Sequence, residues 1–192
     1  MGNMLATFII SDEIKDNAQK AMIELKEIGV KKLVMLTGDN KLVGETIARQ
    51  LGLDEVYAEL LPDQKVEKLE MLEKQKTTKG KLLFVGDGIN DAPVLARADV
   101  GVAMGGLGSD AAIEAADVVV MTDEPSKLVD AIKIAKRTRR IVWQNIFFAF
   151  GVKAVVLVLG AGGMATIWEA VFADVGVTLI AVINSMRVMK TN

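Results

Sequence analysis

The chain has 192 residues, 51% of them apolar, with 23 Lys and Arg against 25 Asp and Glu, a net charge of −2, and neither Cys nor His. That balance gives no electrostatic case for nucleic acid as a partner, and without thiols or imidazoles there are no disulfides, so any metal chemistry must use oxygen donors. Apolar residues alternate with charged ones up to about Lys136 and then run almost unbroken from Ile141, which marks a boundary between two solvents.

From the amino end, Met4 to Ile10 is an apolar run of strand length that Ser11-Asp12-Glu13 stops at once, so it does not read as a cleavable leader. Strands are expected at Ala6–Ser11, Leu33–Leu36, Glu55–Ala58, Leu82–Val85, Val100–Ala103 and Val118–Met121. Helices fall between them at Lys15–Ile28, Lys41–Leu51, Asp63–Lys74, Asp91–Ala96 and Ser109–Ala115, with Ser126–Arg140 after the last strand. This alternation is the pattern of a parallel sheet with crossover helices. Gly105-Gly106-Leu107-Gly108 is a flexible-loop candidate.

Helix Ser126–Arg140 runs on into Ile141–Gly160, whose strongly polar members are Gln144, Asn145 and Lys153. Twenty residues at a rise of about 1.5 Å cover roughly 30 Å, the thickness of a bilayer core. After Gly160-Ala161-Gly162-Gly163 comes a second such segment, Ile167–Met186, apolar apart from Glu169, Asp174 and Asn184. Lys133, Lys136, Arg137, Arg139 and Arg140 precede the first segment, Arg187 and Lys190 follow the second, and the joining loop has no basic residue. The positive-inside tendency makes this a hairpin with both ends cytoplasmic. Two buried helices of a soluble protein are the alternative, although neither segment shows the polar face such helices carry.

Ligands of open parallel sheets bind beyond the carboxyl ends of the strands, and two loops there stand out. Asp87 and Asp91 sit four apart, at a strand's end and a helix's start, with glycines on both sides of Asp87 and Asn90 between the two carboxylates. Two converging carboxylates suit Mg²⁺, which leaves its remaining positions to water and phosphate oxygens. The alternative is a plain turn at Asp87-Gly88 with Asp91 as an N-cap. Thr37, Gly38 and Asp39 follow an earlier strand and offer a hydroxyl and helix-start amides to an anion, or else simply cap the next helix. Lys65, after Pro62-Asp63-Gln64, is either a solvated helix lysine or a cation that neutralises phosphate. Together these loops fit phosphoryl transfer, which is largely positioning and charge stabilisation. In the apolar hairpin, Lys153 lies about ten residues before Gly163 and Asp174 about eleven after it, so both fall at similar depth. An intramembrane pair of opposite sign is a functional candidate, with a structural salt bridge or snorkelling as the alternative.

Met35-Leu36-Thr37-Gly38-Asp39-Asn40, Pro62-Asp63-Gln64-Lys65 and Val85-Gly86-Asp87-Gly88-Ile89-Asn90-Asp91-Ala92-Pro93 resemble, in order and spacing, the later phosphorylation-domain motifs of P-type ATPases, within the haloacid-dehalogenase-like superfamily. Ala98–Gly105 and Gly108–Asp117 are similar to the heavy-metal branch, and Asp174-Val175-Gly176 with Lys153 resembles its zinc, cadmium and lead exporters. The resemblance implies an α/β, haloacid-dehalogenase-like (Rossmannoid) parallel sheet over residues 1–135, incomplete, followed by a transmembrane helical hairpin over 136–192. It implies a cell-membrane, multi-pass pump that forms an aspartyl-phosphate from ATP and moves Zn²⁺, Cd²⁺ or Pb²⁺. By that resemblance Asp87 would be the principal Mg²⁺ ligand, supported by Asp91 and Asn90. Thr37, Gly38 and Asp39 would line the phosphate site, and Lys65 would stabilise the acyl phosphate. Asp174 would help coordinate the transported ion, with Lys153 as its counter-charge and Glu169 as an exit-path or interfacial residue.

The family's Asp-Lys-Thr-Gly-Thr segment with the phosphorylated aspartate does not occur in this sequence. Nor do the nucleotide-binding domain, the actuator domain's Thr-Gly-Glu loop or the Cys-Pro-Cys motif. The chain therefore reads as the carboxy-terminal piece of such a pump, with a gap in its sheet where the central strand belongs and no turnover on its own. A truncated or split subunit that pairs with the missing amino-terminal portion is one alternative. A membrane-tethered phosphatase of the same superfamily is another; it would need an early nucleophile, for which Asp12 is the candidate but lacks the following Asp/Thr pattern.

Overall fold

The computed structural model describes residues 14, 17–77, 80–86, 91–105, 110–164 and 166–189. The expected strand Ala6–Ser11, Asp12, the Asp87–Asn90 string, most of the Gly105–Gly108 loop and Lys190 lie outside the described residues. The chain divides into two units, Met1–Val129 and Asp130–Asn192, whereas the change of composition places the boundary near residue 135.

In the first unit the expected alternation is realised. Helix α1 (Ala18–Glu27) precedes β1 (Val34–Leu36), α2 (Lys41–Leu51), β2 (Glu55–Tyr57), α3 (Pro62–Gln75), β3 (Leu83–Gly86), α4 (Ala92–Leu95), β4 (Val100–Met104), α5 (Asp110–Ala115) and β5 (Val118–Val120). Helix α2 starts where Asn40 Oδ1 accepts the Leu42 and Val43 N–H groups at 2.7 and 3.4 Å, and it stops at Gly52, whose φ of 67° favours glycine. At α3, Pro62 occupies a first-turn position and the Leu61 N–H donates to Gln64 Oε1 at 2.9 Å. All described strand pairs are parallel, and they form two separate sheets, β1-β2 and β3-β4-β5. Among the described residues β1 and β3 share no ladder, as an incomplete sheet requires. Val94 and Leu95 of α4 and Val102 of β4 are fully buried. Glycine lets α4 lie this close to β4: a Cβ on Gly101 would stand 2.6 Å from the Leu95 carbonyl oxygen.

Three aspartates outside the candidate phosphoryl site hold the amino-terminal rim of the sheets. Asp54, Asp99 and Asp117 each stand one residue before a strand and accept a backbone N–H from the neighbouring one: Leu33 to Asp54 at 2.7 Å, Leu82 to Asp99 at 2.8 Å and Gly101 to Asp117 at 2.9 Å. Asp54 is also paired with Lys26 at 2.9 Å, and Asp99 with Lys76 and Lys81 at 2.5 and 3.1 Å. The Leu82 N–H, Lys76 and Lys81 together hold the Asp99 carboxyl far below the usual carboxylate range, and Lys26 with the Leu33 N–H lowers that of Asp54. A carboxyl depressed in the folded state adds stability that is complete above its unfolded value, about 3.9, and is lost progressively as pH falls from there through the lower folded-state value. Amide protection of β3 and β4 should therefore decline progressively as pH falls below about 4. Asp99→Asn should remove about 2 kcal/mol of that protection at pH 7 and flatten the acid limb. Hydrogen exchange across both variants and both pH ranges checks this.

The second unit contains the apolar part of α6 (Pro125–Ala161), then α7 (Ile167–Val171), a π-helical turn (Phe172–Gly176), α8 (Val177–Ser185) and a closing 3-10 turn (Met186–Val188). Past the last residue of α6, Ala161, the chain turns at Gly163, whose φ is 69°, with the Met164 N–H donating to Leu159 C=O at 2.9 Å. Glu169 starts α7 by accepting the Thr166 N–H at 2.9 Å and the Thr166 hydroxyl. Glu169 thus takes part in a capping box at the start of α7. The two helical stretches, Pro125–Ala161 and Ile167–Val188, are long and apolar enough to cross a membrane, and few of their residues are buried. Phe147 is 70% exposed and Trp168 77% exposed, which the core helix of a soluble protein would not tolerate. The sequence predicts one continuous helix over Ile167–Met186, and the π turn is the difference. A Cβ on Gly176 would lie 2.8 Å from the Phe172 ring, so this glycine lets the ring pack across the widened turn.

Candidate functional site

The loop after β1 is knitted to the loop after β2. Thr37 N–H donates to Tyr57 C=O at 2.9 Å, Leu60 N–H to Thr37 C=O at 3.1 Å, and Glu59 N–H to Asp39 C=O at 2.8 Å. Inside this frame the Thr37 hydroxyl donates to Asp39 Oδ2 at 2.7 Å, and Asp39 N–H donates to Thr37 Oγ1 at 3.1 Å. Helix α2 is capped by Asn40, so the capping alternative does not account for Thr37 or Asp39. Two glycines permit the close fit. A Cβ on Gly38 would meet the Leu60 carbonyl at 3.3 Å, and one on Gly44 would meet Thr37 Cγ2 at 3.3 Å.

Glu59 gives no signal in the sequence and is found only in the fold. It is the one non-glycine with positive φ, 58°, among the described residues. Its Oε1 accepts the Lys41 N–H at 3.4 Å. A left-handed conformation costs an L residue about 1–2 kcal/mol, and this cost is held where the two loops meet, as strain often is near functional sites. Glu59→Gly should raise the protection of β1 and β2 by about 1 kcal/mol, the left-handed penalty less the entropy of glycine. Hydrogen exchange on the Val34–Tyr57 peptides reads the change.

Lys65 projects from the first turn of α3 to Asp91, Nζ to Oδ1 2.8 Å, and the two side chains are only 17% and 13% exposed. Lys65 is therefore not a solvated helix lysine. Asp91 makes no side-chain capping bond to α4, so the N-cap alternative fails here too. Gly86 makes the room: a Cβ there would stand 2.8 Å from Asp91 Cβ and 3.0 Å from its Oδ2. The glycine before Asp87 thus opens space for a carboxylate of its own chain. Asp87 and Asn90 lie outside the described residues. Among the described residues no three acidic side chains converge on one point. A hard cation such as Mg²⁺ needs only one or two protein carboxylates beside phosphate and water, and Asp91 could supply one of them. The two rims thus differ in what their carboxylates hold. Asp54, Asp99 and Asp117 accept backbone N–H groups at the amino ends of strands, in addition to the lysines that pair with Asp54 and Asp99, while the carboxylates of Asp39 and Asp91, at the carboxyl ends, are bonded to the side chains of Thr37 and Lys65.

In the hairpin, Lys153 Nζ and Asp174 Oδ1 are 3.0 Å apart, which agrees with their equal depth in the sequence. Asp174 belongs to the π turn, and its C=O accepts the Thr178 hydroxyl at 2.6 Å. Such turns are enriched at functional sites because they free the regular backbone pattern. A second polar group joins the same helices. Asn145 Nδ2 donates to Ala181 C=O at 3.1 Å and Ser185 Oγ at 2.9 Å, and Asn184 Nδ2 donates to Asn145 Oδ1 at 2.8 Å. Asn145 and Asn184 are among the polar exceptions noted in the sequence, but their mutual contact needs the fold to reveal it.

Residues 2–99 match the family model for haloacid dehalogenase-like hydrolases. The chain is 67% identical over 182 residues to the cadmium, zinc and cobalt-transporting ATPase of Bacillus subtilis (strain 168), covering 95% of this chain and 26% of the relative. It is 60% identical to the zinc-transporting ATPase of Synechocystis sp., covering 95% of this chain and 25% of the relative. The crystal structure of a zinc-transporting PIB-type ATPase in an E2.Pi state superposes with a TM-score of 0.85 at 40% identity, over 93% of this chain and 28% of that one. The chain thus spans about a quarter of the length of the relatives it matches.

Proposed function

The chain belongs to the haloacid dehalogenase-like hydrolase family, and on that premise we propose that it is part of an ATP-driven exporter of divalent heavy-metal cations, Zn²⁺, Cd²⁺ or Pb²⁺. The pump works through an aspartyl-phosphate, with the phosphorylated aspartate and the nucleotide domain outside this chain. One observation carries the reading: an ion pair, Lys153 to Asp174 at 3.0 Å, joins two predominantly apolar helices long enough to cross a membrane. Charged groups at such depth are costly, and they persist where they serve an ion path.

In this reading Asp174 coordinates the cation while Lys153 balances its charge once the site empties. Thr37, Gly38 and Asp39 line the phosphate position, and Lys65 balances the charge of the acyl phosphate. Asp87, Asp91 and Asn90 would hold Mg²⁺, which supplies charge neutralisation at the phosphate oxygens when bound. The protein's own part is to keep Asp91 desolvated beside Lys65 until that cation competes for it. The hairpin lies in the cell membrane with both ends cytoplasmic, as its flanking Lys and Arg favour.

A second reading, a subunit completed by a partner carrying the missing portion, is supported by the two separate sheets, whose β1 and β3 share no ladder among the described residues. Two preparations test the proposal. The chain alone should show no metal-stimulated ATP hydrolysis. Substituted for the matching segment of the Bacillus subtilis relative, it should sustain hydrolysis stimulated by Zn²⁺ or Cd²⁺. A chimera that folds, enters the membrane and stays silent to both metals would overturn the reading.

A further inference from the structure

We propose that the turns of α6 just before its apolar span form a binding surface for anionic phospholipid headgroups. The inference rests on the hairpin being membrane-spanning. Between Ser126 and Arg140 there are six basic residues and one acidic residue, Asp130, a net charge of +5. Helical geometry sorts them. At about 100° per residue, Lys133, Lys136, Arg137 and Arg140 follow the i, i+3, i+4, i+7 spacing and share roughly 100° of arc. All four are exposed, as is Arg139 beside them.

Because α6 is continuous through Ala161, the position of the stripe along the helix is set by the span that follows it. Arg140 adjoins Ile141, the first residue of the apolar run, and Lys133 lies about 10 Å further along the axis. The headgroup layer of one leaflet is roughly 5–7 Å thick, and the Debye length at physiological salt is about 8 Å. The whole stripe therefore falls within the headgroups or their unscreened field. Positive-inside topology would be satisfied by scattered cations. Four on one helix face instead present a single surface to neighbouring phosphates, and long Lys and Arg side chains reach toward the interface easily. The occupant that fits is the phosphodiester of a lipid with net negative charge. Each cation near an anionic surface strengthens association by roughly fivefold at low salt.

The test uses the full chain in nanodiscs of phosphatidylcholine with about 30% phosphatidylglycerol, probed by spin-labelled versions of both lipids. Motionally restricted phosphatidylglycerol should exceed phosphatidylcholine by roughly threefold or more in 50 mM salt, and the excess should vanish near 0.5 M salt. The quadruple variant K133Q/K136Q/R137Q/R140Q should lose the preference, while K20Q/R49Q/K31Q/K74Q, with the same change of charge elsewhere, should keep it. Inorganic phosphate should compete no better than chloride at equal ionic strength; if it competes better, the surface is a free-phosphate site and the lipid assignment is wrong. An unchanged preference in the stripe variant, or none in the parent, would overturn the inference while leaving the pump reading intact. Absence of any restricted lipid would show that the hairpin does not enter the bilayer, and would sink both.

Discussion

Asp174→Asn should reduce metal-stimulated ATP hydrolysis of the Bacillus subtilis chimera by at least about a hundredfold, with little loss of protein from the membrane when Lys153 is also neutralised. The substitution keeps the side chain's volume and removes its charge. In the parent the carboxylate stands 3.0 Å from the Lys153 ammonium. Its removal leaves a lone ammonium in the span, which costs about 3 kcal/mol at the bilayer centre. The single variant thus combines two effects, weaker insertion and a lost ligand. The double variant K153M/D174N separates them, because two neutral side chains restore insertion but not the ligand. A purely structural salt bridge predicts that the double variant regains hydrolysis along with membrane yield. An ion site predicts yield without hydrolysis. Lys153→Met alone should retain metal binding and slow metal release, since the cation then has no built-in competitor for Asp174.

The second large effect is expected at the sheet rim. Gly86→Ala adds one methyl group at a point 2.8 Å from Asp91 Cβ and 3.1 Å from Phe84 Cε1. Neither neighbour can retreat cheaply, because Asp91 opens α4 and Phe84 lies within β3. Overpacking of this kind costs about 1–3 kcal/mol, and the least costly relaxation moves Asp91 away from Lys65. In the chimera, the rate of phosphoenzyme formation from ATP should fall by roughly a hundredfold, the lower end of the scale for losing one fixed charge-stabilising group. Lys65→Ala should give a comparable loss without a steric cause. Similar defects in both variants would assign the effect to the Lys65–Asp91 pair. A normal rate of phosphoenzyme formation in Gly86→Ala would remove Asp91 from the phosphoryl site.

Much of this architecture can be read directly from the residues, and the physical reasons differ from part to part. Helix α2 matches its expected bounds at both ends because Asn40 and Gly52 are strong local stop signals. The Lys153–Asp174 pairing is legible because a hairpin with one glycine turn leaves a single depth for each residue. Lys65 is harder: its spacing permits either a solvated or a desolvated ammonium, and only the packing of α3 against α4 decides. Asp54, Asp99 and Asp117 look no different in sequence from Asp39 or Asp91. Which rim each carboxylate occupies separates them, and that depends on strand polarity, not on neighbouring residues. Glu59 and the π turn are invisible for a related reason. A positive φ on Glu contradicts its local preference, and a π turn inserts a register shift that no apolar period marks; both exist because tertiary contacts override propensity. Asp87 and Asn90, the most specific motif residues, lie outside the described residues, so their assignment rests on the motif.

The most direct measurement is transport itself. Inverted membrane vesicles carrying the chimera should accumulate Zn²⁺ or Cd²⁺ when given ATP and Mg²⁺, and Asp174→Asn should abolish that accumulation. Uptake that persists in the Asp174 variant, or hydrolysis of ATP without metal movement in the parent chimera, would contradict the account.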